Sequence, residues 1–478
     1  MDITELKKQE SIMQIEAYIQ AKMHDLHLPG LSLAIVQNDQ VIYQRGFGVA
    51  DTTGRPVTPQ TPFVLGSLSK SFTALAIMQL VEAGKIDLDA PVQRYLPWFR
   101  VADPDASAHI TIRHLLIHTS GLSLYTGRQL LGRRVSSTRE QTVRLLKRVK
   151  LAHEPGVAFD YCNTNYLILS FIIEIVAEES YERYIERHIF RLLHMHHSHV
   201  SEQEALRDGP ATGYRWWFGW PRPTRAPYLT DALGAAFLIS SAEDMARWLV
   251  AHLNGGSVDG ASVLSTAGIE ELHRPQVPTN KAGSIAAMGW RVEQLGSGRI
   301  VRHGGEVSNY RADMVLVPGR KLGVVVLQNC NNGVVAQLGL DQIALDVVRL
   351  LLGHAPSKRA ITFQSFSLLV RLVVILVSAL HLWSLVRLIQ RPARSGPGST
   401  LALISEVAAP LLTIWGVPRS VDGPWSLLRW YVPDLSAWLS VMGSLSLGKI
   451  LLRIAHLFFA TEKKNKQRDL VAAAQNGC

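Results

Sequence analysis

Three small groups of residues have the types and spacing for acyl-transfer chemistry. In "FVLGSLSKSFTALAIMQLVEAGKI", Ser67 precedes Lys70 by three residues where a short apolar run gives way to a helical pattern. One helical turn separates them on one face, so the amine can reach the hydroxyl. A lysine whose pKa is lowered by burial can take a serine proton, and the start of a helix favours the negative charge that develops on attack. The competing reading is a serine that caps the helix beside a surface charge. The spacing alone does not choose, because Ser446 and Lys449 repeat it inside an apolar segment near the C-terminus.

The second group is Tyr161-Cys162-Asn163, on a loop after Glu154-Pro155-Gly156 and just before an apolar helix. Residues two apart in an extended segment point to one side, so a phenol and a carboxamide can line one cleft. A core tyrosine and a helix-capping asparagine would give the same pattern. The third group is His303-Gly304-Gly305, inside the strand-like run VRHGGEV. Glycines within a strand signal the close approach of another backbone or a ligand, and the histidine could steer a polar substrate group or move a proton.

Elements that could position these groups are legible around them. Gly30 to Ala50 reads as two strands joined by a hairpin at Asn38-Asp39, and Arg299 to Cys330 as a second strand-rich stretch turning at Pro318-Gly319. Helical periodicity is clearest over Ser67–Gly84, Asn165–Glu179 and Ala242–Leu253, with a further helix over Val334–Leu352. Strands contributed by both ends of a chain with a helical middle predict an α+β domain: an antiparallel sheet flanked by helices, with a mainly helical subdomain.

The order Ser-x-x-Lys, Tyr-x-Asn, His-x-Gly resembles the serine β-lactamase and penicillin-binding-protein superfamily, in particular the branch of class C β-lactamases and D-alanyl-D-alanine carboxypeptidases. "LPGLSLAIVQNDQVIYQRGFGVAD", "ITIRHLLIHTSGL", "EPGVAFDYCNTNYLILSFIIE" and "LISSAEDMARWL" are similar to that branch's framework, which extends the resemblance over about Leu28 to Leu352. It implies an acyl-enzyme on Ser67, with Lys70 and Tyr161 sharing general-base work and Tyr161 protonating the leaving group. Asn163 would hold Lys70 and the substrate amide. The backbone N–H groups of Ser67 and Glu306 would form the oxyanion hole, and Tyr125 would stand at the cleft wall. Where class C β-lactamases carry Lys-Thr-Gly, this chain has His303-Gly304-Gly305. A cation and a hydroxyl that hold a β-lactam carboxylate are thereby lost, which turns the expectation toward peptidase and esterase members.

Three functions follow as expectations: a hydrolase of D-amino-acid peptide bonds of cell-wall type or related amides, an esterase of the same fold, and a non-catalytic sensor of β-lactams or peptides. The substrate would be a small molecule or peptide, with peptidoglycan one candidate. Serine chemistry requires no metal or organic cofactor. His194, His196, His197 and His199, with His188 nearby, could ligate a metal, but no Glu stands among them as in His-Glu-x-x-His, so no metal site is expected.

Composition sets the context. Of 478 residues, 47% are hydrophobic and 18% charged, with a net charge of +10. From residue 361 onward there are 12 Lys/Arg and 5 Asp/Glu, so most of the excess positive charge belongs to the C-terminal part. No basic patch precedes it, and nucleic-acid binding is not expected. Three scattered cysteines, Cys162, Cys330 and Cys478, suggest neither a disulfide framework nor a thiolate metal site.

Residues 372–389, 401–417 and 435–460 are each apolar enough, over nearly enough length, to cross a bilayer. The expected layout is a hydrolase domain over 1–352, a linker over 353–364, three transmembrane helices within 365–460 and a basic cytoplasmic tail over 461–478. Arg387, Arg391 and Arg394 at the first connection and Lys463, Lys464, Lys466 and Arg468 after the third segment then place the catalytic domain outside the cell membrane. The first twenty residues lack the apolar core of an export signal, which leaves two alternatives: a start further upstream, or a domain that stays inside.

Overall fold

The computed structural model describes residues 3–131, 138–225, 227–333, 339–357, 362–390, 416 and 425–475. Eight antiparallel strands form the central sheet, in the spatial order Gln40–Gly48, Gly30–Gln37, Leu322–Gln328, Tyr310–Val317, Gly298–Val307, Trp290–Leu295, Ser284–Ala287 and Val277–Pro278. The first strand of the chain lies against the last, with Leu31 opposite Gln328 and Gln37 opposite Leu322. The α+β expectation is thus met. The strands from Val277 to Leu295 were not anticipated: they are short or half-polar, and their apolar alternation is too brief to read.

Alternation assigns each sheet residue to one of two cores. Leu31, Leu33, Ile35, Val324 and Val326 point to the face covered by the helices Ile3–Leu26 and Ile343–Leu351. Ala34, Val36, Val325 and Leu327 point to the opposite face, covered by the helices Ser69–Glu82, Asn163–Ala177 and Ala242–Leu253. A sheet covered on both sides explains why Leu322–Gln328 is buried at every position. The Ser67 helix is fixed to this second core by Phe72, whose ring stacks on Trp248 at 3.9 Å. Truncating so buried an aromatic costs about 3–5 kcal/mol.

The chain divides into two compact units, Met1–Gln364 and Ser365–Cys478. Two helices, Phe363–Gln390 (28 residues) and Pro433–His456 (24 residues, the start of a helix that continues to Gln475), are long and apolar enough to cross a membrane. Within the second unit, Trp438 Nε1 donates to Ser378 Oγ at 3.0 Å, and His381 Nε2 lies 3.3 Å from Ser446 Oγ. The expected middle span, 401–417, lies outside the described residues except for Gly416.

Behind the Ser67 helix, His252 and His273 are both buried, with Nδ1 and Nε2 3.1 Å apart and Trp248 and Trp290 around them. Burial holds both imidazoles neutral, His273 down to about 3. Unfolding returns them to the ordinary range near 6.5, so the unfolded chain binds more protons below that pH. Stability is therefore complete above about pH 6.5 and falls as the medium becomes more acid, by up to about 1.4 kcal/mol per pH unit for each histidine. Denaturation midpoints followed downward from neutral pH should drop less steeply in His273→Gln than in the wild type. Equal slopes would show that this pair does not couple folding to pH.

Candidate active site

Ser67 enters the site on a sharp turn. Phe63–Val64 pairs with Ile239–Ser240, Leu65 N–H donates to Leu238 O at 2.9 Å, and a short 3-10 turn over Gly66–Leu68 leads into the helix Ser69–Glu82. Gly66 has φ +57°, and a Cβ on it would stand 2.4 Å from Glu306 N. A Cβ on Gly305 would stand 1.9 Å from Leu65 O. Two glycines distant in sequence thus let the turn lie directly against the strand Gly298–Val307, which brings the backbone at Ser67 beside that of Glu306. The capping alternative for Ser67 does not apply, since the helix is capped at Leu68 without a side-chain bond.

Lys70, one turn further, is fully buried. Its Nζ lies 2.9 Å from Ser67 Oγ and donates to Asn163 Oδ1 at 2.6 Å and to Ala235 O at 2.7 Å. Lys70 forms no ion pair with a carboxylate among the described residues. Burial holds its pKa well below the usual lysine range, and Arg291 acts in the same direction. Tyr161 Oη donates to Ser67 Oγ at 2.9 Å, and its ring centroid is 4.9 Å from Lys70 Nζ. Burial pushes this phenol up to about 12 against the opposing bond to Ser67. Asn163 is the first residue of the helix Asn163–Ala177, and the cap position falls to Cys162.

His303 sits in an interior strand of the sheet and is 5% exposed. Its Nδ1 lies 2.8 Å from Gly304 O. A carbonyl only accepts, so this nitrogen carries the proton and Nε2 is left as an acceptor. Burial, reinforced by Arg291, keeps the ring neutral. Gly304 is not crowded: its Cβ position has only Arg311 and Asp313 side-chain atoms, beyond 3.6 Å. The Glu306 carboxylate turns to Arg311 at 3.2 Å and Asn331 at 3.3 Å.

Tyr125 lies on a neighbouring helix. It is 47% exposed on the helix Leu124–Leu131, which backs onto Cys162 and Asn163, and its hydroxyl accepts from Gln129 Nε2 at 2.8 Å. Of the histidine-rich segment, His197 Nδ1 and His199 Nε2 share one oxygen of Asp208 at 3.1 and 2.9 Å, and His188 bonds Glu179 at 3.0 Å. Among the described residues no group of three such side chains is arranged to hold a metal.

Two residues of the site were not picked out from the sequence. His118 is buried with its ring 4.4 Å from that of Tyr161, and its Nδ1 accepts from Cys162 N–H at 3.2 Å. Asn165 Nδ2, 3.1 Å away, bonds the same nitrogen. The only signal was its place in the run ITIRHLLIHTSGL, similar to the family's framework. Arg291 has its guanidinium carbon 5.7 Å from the centre of the Tyr161 ring. It has no hydrogen bond or ion pair among the described residues, whereas Arg302, opposite it in the sheet, is held by Asp313 at 2.9 Å. Nothing in the sequence distinguishes Arg291 from the chain's other cations.

This sheet, with a Ser-x-x-Lys turn wedged between a Tyr-x-Asn loop and a glycine-bearing strand, has the architecture of serine β-lactamases and penicillin-binding proteins. The family model described as Beta-lactamase matches residues 15–348, and the chain belongs to that family. Among relatives, it is 31% identical over 352 residues to Penicillin-binding protein 4 of Amycolatopsis lactamdurans, covering 70% of this chain and 87% of that protein. It is 28% identical over 333 residues to Protein flp of Staphylococcus aureus (strain MRSA252), covering 69% of this chain but only 65% of the relative's length. The structure of the octameric penicillin-binding protein homologue from Pyrococcus abyssi is similar with a TM-score of 0.66 and 30% identity, over 73% of this chain and 78% of that one.

The Gly66–Gly305 contact makes a direct prediction. Gly305→Ala should push Leu65 and Ser67 away from Glu306 and lower Ser67-dependent acylation by an activated ester about a hundred- to thousandfold, the usual cost of an oxyanion donor. Thermal unfolding of the variant, followed alongside, should remain cooperative. Acylation at the wild-type rate would show that the close approach is not needed.

Proposed function

We propose that this protein is a membrane-anchored serine hydrolase that forms an acyl-enzyme on Ser67 and cleaves D-amino-acid peptide bonds of cell-wall type or related amides. The observation that carries the reading is the environment of Lys70 Nζ. As a neutral amine it has two N–H groups, which Asn163 Oδ1 and Ala235 O accept at 2.6 and 2.7 Å. Its lone pair then faces Ser67 Oγ at 2.9 Å and takes the hydroxyl proton as Oγ attacks the substrate carbonyl.

The resulting oxyanion is received by the N–H groups of Ser67 and Glu306. As the intermediate collapses, Tyr161 gives its proton to the departing amine and regains one from Lys70, so the phenol is never required to exist as a lasting phenolate. Water then attacks the acyl-serine ester, with the same pair taking its proton, and releases the acid. The high pKa of Tyr161 and the low pKa of Lys70 favour this division of labour, with Lys70 as the primary base. His118 acts as a positioning residue that buttresses Tyr161.

Arg291 supports a substrate that ends in a carboxylate. It supplies the cation that His303, held neutral, does not, and it stands beside Tyr161 without an acidic partner among the described residues. The helices Phe363–Gln390 and Pro433–His456 support anchoring in the cell membrane, and with a third span over 401–417 the distribution of Lys and Arg puts the catalytic unit on the extracytoplasmic side. An esterase remains the second reading, supported by the absence of the Lys-Thr-Gly hydroxyl.

Intact-mass measurement of the full chain in lipid nanodiscs, after exposure to a penicillin and separately to a p-nitrophenyl ester, tests the chemistry. A persistent penicilloyl adduct in the wild type and none in Ser67→Ala is the expected result. Ester turnover without an adduct would favour the esterase. No Ser67-dependent reaction with either would overturn hydrolysis in favour of a sensor. Arg291→Gln should raise KM for a peptide with a free C-terminal carboxylate about tenfold or more, as befits loss of a charge-assisted bond, while leaving its C-terminal amide little affected. Equal effects on both would remove Arg291 from substrate recognition.

A further inference from the structure

The strands Tyr214–Trp217 and Trp220–Pro223 form a hairpin that the site does not use. Phe218, with φ +49°, and Gly219, with φ +92°, make its turn, and Trp217 and Trp220 stand directly opposite each other beside it. Alternation sends Trp216 inward, where it is 1% exposed and its Nε1 donates to Leu26 O at 2.8 Å. The two neighbouring indoles stay outside, Trp217 42% and Trp220 54% exposed. The tip is held firmly: Trp220 stacks on His27 at 4.8 Å with rings 7° apart, and His27 Nδ1 donates to Gly219 O at 3.0 Å. Two large apolar rings fixed side by side in water are a costly surface unless something covers them.

The neighbouring residues indicate what covers them. Phe363 is 1% exposed, with its ring 5.7 Å from that of Trp216 and 6.0 Å from that of His27. It belongs to the compact N-terminal unit and is also the first residue of the 28-residue apolar helix Phe363–Gln390. The chain therefore leaves the N-terminal unit beside this hairpin. The run YRWWFGWPRPTR, residues 214–225, contains no acidic residue; of its arginines, Arg225 pairs with Glu202 at 3.4 Å and Arg215 Nε bonds Thr224 Oγ1 at 3.0 Å, which leaves Arg222 to face outward. Arg222 is exposed, and indoles interleaved with arginines are the composition that partitions into the interface of an anionic bilayer.

We propose that Trp217, Phe218, Trp220 and Arg222 form a docking tip that inserts among anionic lipid headgroups and seats the catalytic unit on the membrane surface. This rests on the membrane-anchored reading above. The tip gives the catalytic unit a point of attachment to the bilayer in addition to its anchor.

The test uses the full chain in vesicles of phosphatidylglycerol and phosphatidylcholine, with Cys478→Ser and the buried Cys162 and Cys330 retained. A polarity-sensitive fluorophore is attached at Phe218→Cys or, as the reference, at Lys85→Cys, an exposed position after the helix on the other face of the sheet. Alkaline carbonate washing reports on the anchor, and quenching by headgroup-labelled lipid reports on the tip. Acylation of Ser67 by the p-nitrophenyl ester verifies that each labelled chain is folded.

The expected result is a chain retained after washing, with the Phe218 position blue-shifted and quenched several-fold more than the Lys85 position. Adding Trp217→Glu and Trp220→Glu should lower the quenching without releasing the chain. A retained chain whose Phe218 position is quenched no more than Lys85 would overturn the docking tip and leave the anchor standing. Release by carbonate would overturn the anchor, and the docking proposal with it.

Discussion

The site depends on a lysine that has been removed from water without being given a counter-ion among the described residues. An ammonium in that position would pay most of its desolvation cost unrelieved, since two neutral oxygens, Asn163 Oδ1 and Ala235 O, do not replace a carboxylate. Burial therefore selects the amine, and the two acceptors select its orientation. What remains is a lone pair directed at Ser67 Oγ. The same seclusion raises Tyr161 to about 12, so in the proposed mechanism one constraint sets one partner as base and the other as acid.

The rest of the fold serves to keep that pocket closed and its parts in register. Ser67 comes from the turn before, and Lys70 from the first turn of, a helix pinned by Phe72 on Trp248; Tyr161 comes from the loop before a second helix and Asn163 from its first residue; Glu306 comes from a strand more than two hundred residues beyond Ser67. The pairing of Gly30–Gln37 with Leu322–Gln328 fixes that distant strand relative to the N-terminal half. The glycines at 66 and 305 then set the final separation. A methyl group at either place would collide with the opposing backbone, so the geometry depends on what these residues lack.

Much of this was legible in the sequence, for reasons that differ by residue. The Ser67–Lys70 relation is local, and helical periodicity alone puts both on one face. The glycines of the His-Gly-Gly strand announced a close contact, though not that Leu65 would make it at Gly305 and that Gly304 would be uncrowded. His118 and Arg291 were hidden because their roles are made by tertiary placement: one becomes a ring under Tyr161, the other a cation with no acidic partner among the described residues while its neighbour Arg302 takes Asp313. Tyr125 came from the resemblance alone, and its one hydrogen bond among the described residues is to Gln129. The α+β class followed from strands at both ends of the domain, whereas the edge strands after Val277 were too short to leave a periodic trace.

The pH dependence of Ser67 acylation by a neutral activated ester, measured in single turnovers so that deacylation does not intervene, addresses the state of Lys70 most directly. A neutral buried amine predicts a rate already at its plateau at about pH 7, falling only in acid as the amine is protonated, and level until the phenol range is approached. A rate that instead climbs through about pH 10, where an ordinary lysine loses its proton, would mean that Lys70 is a cation in the resting enzyme and that the proton must leave Ser67 by another route.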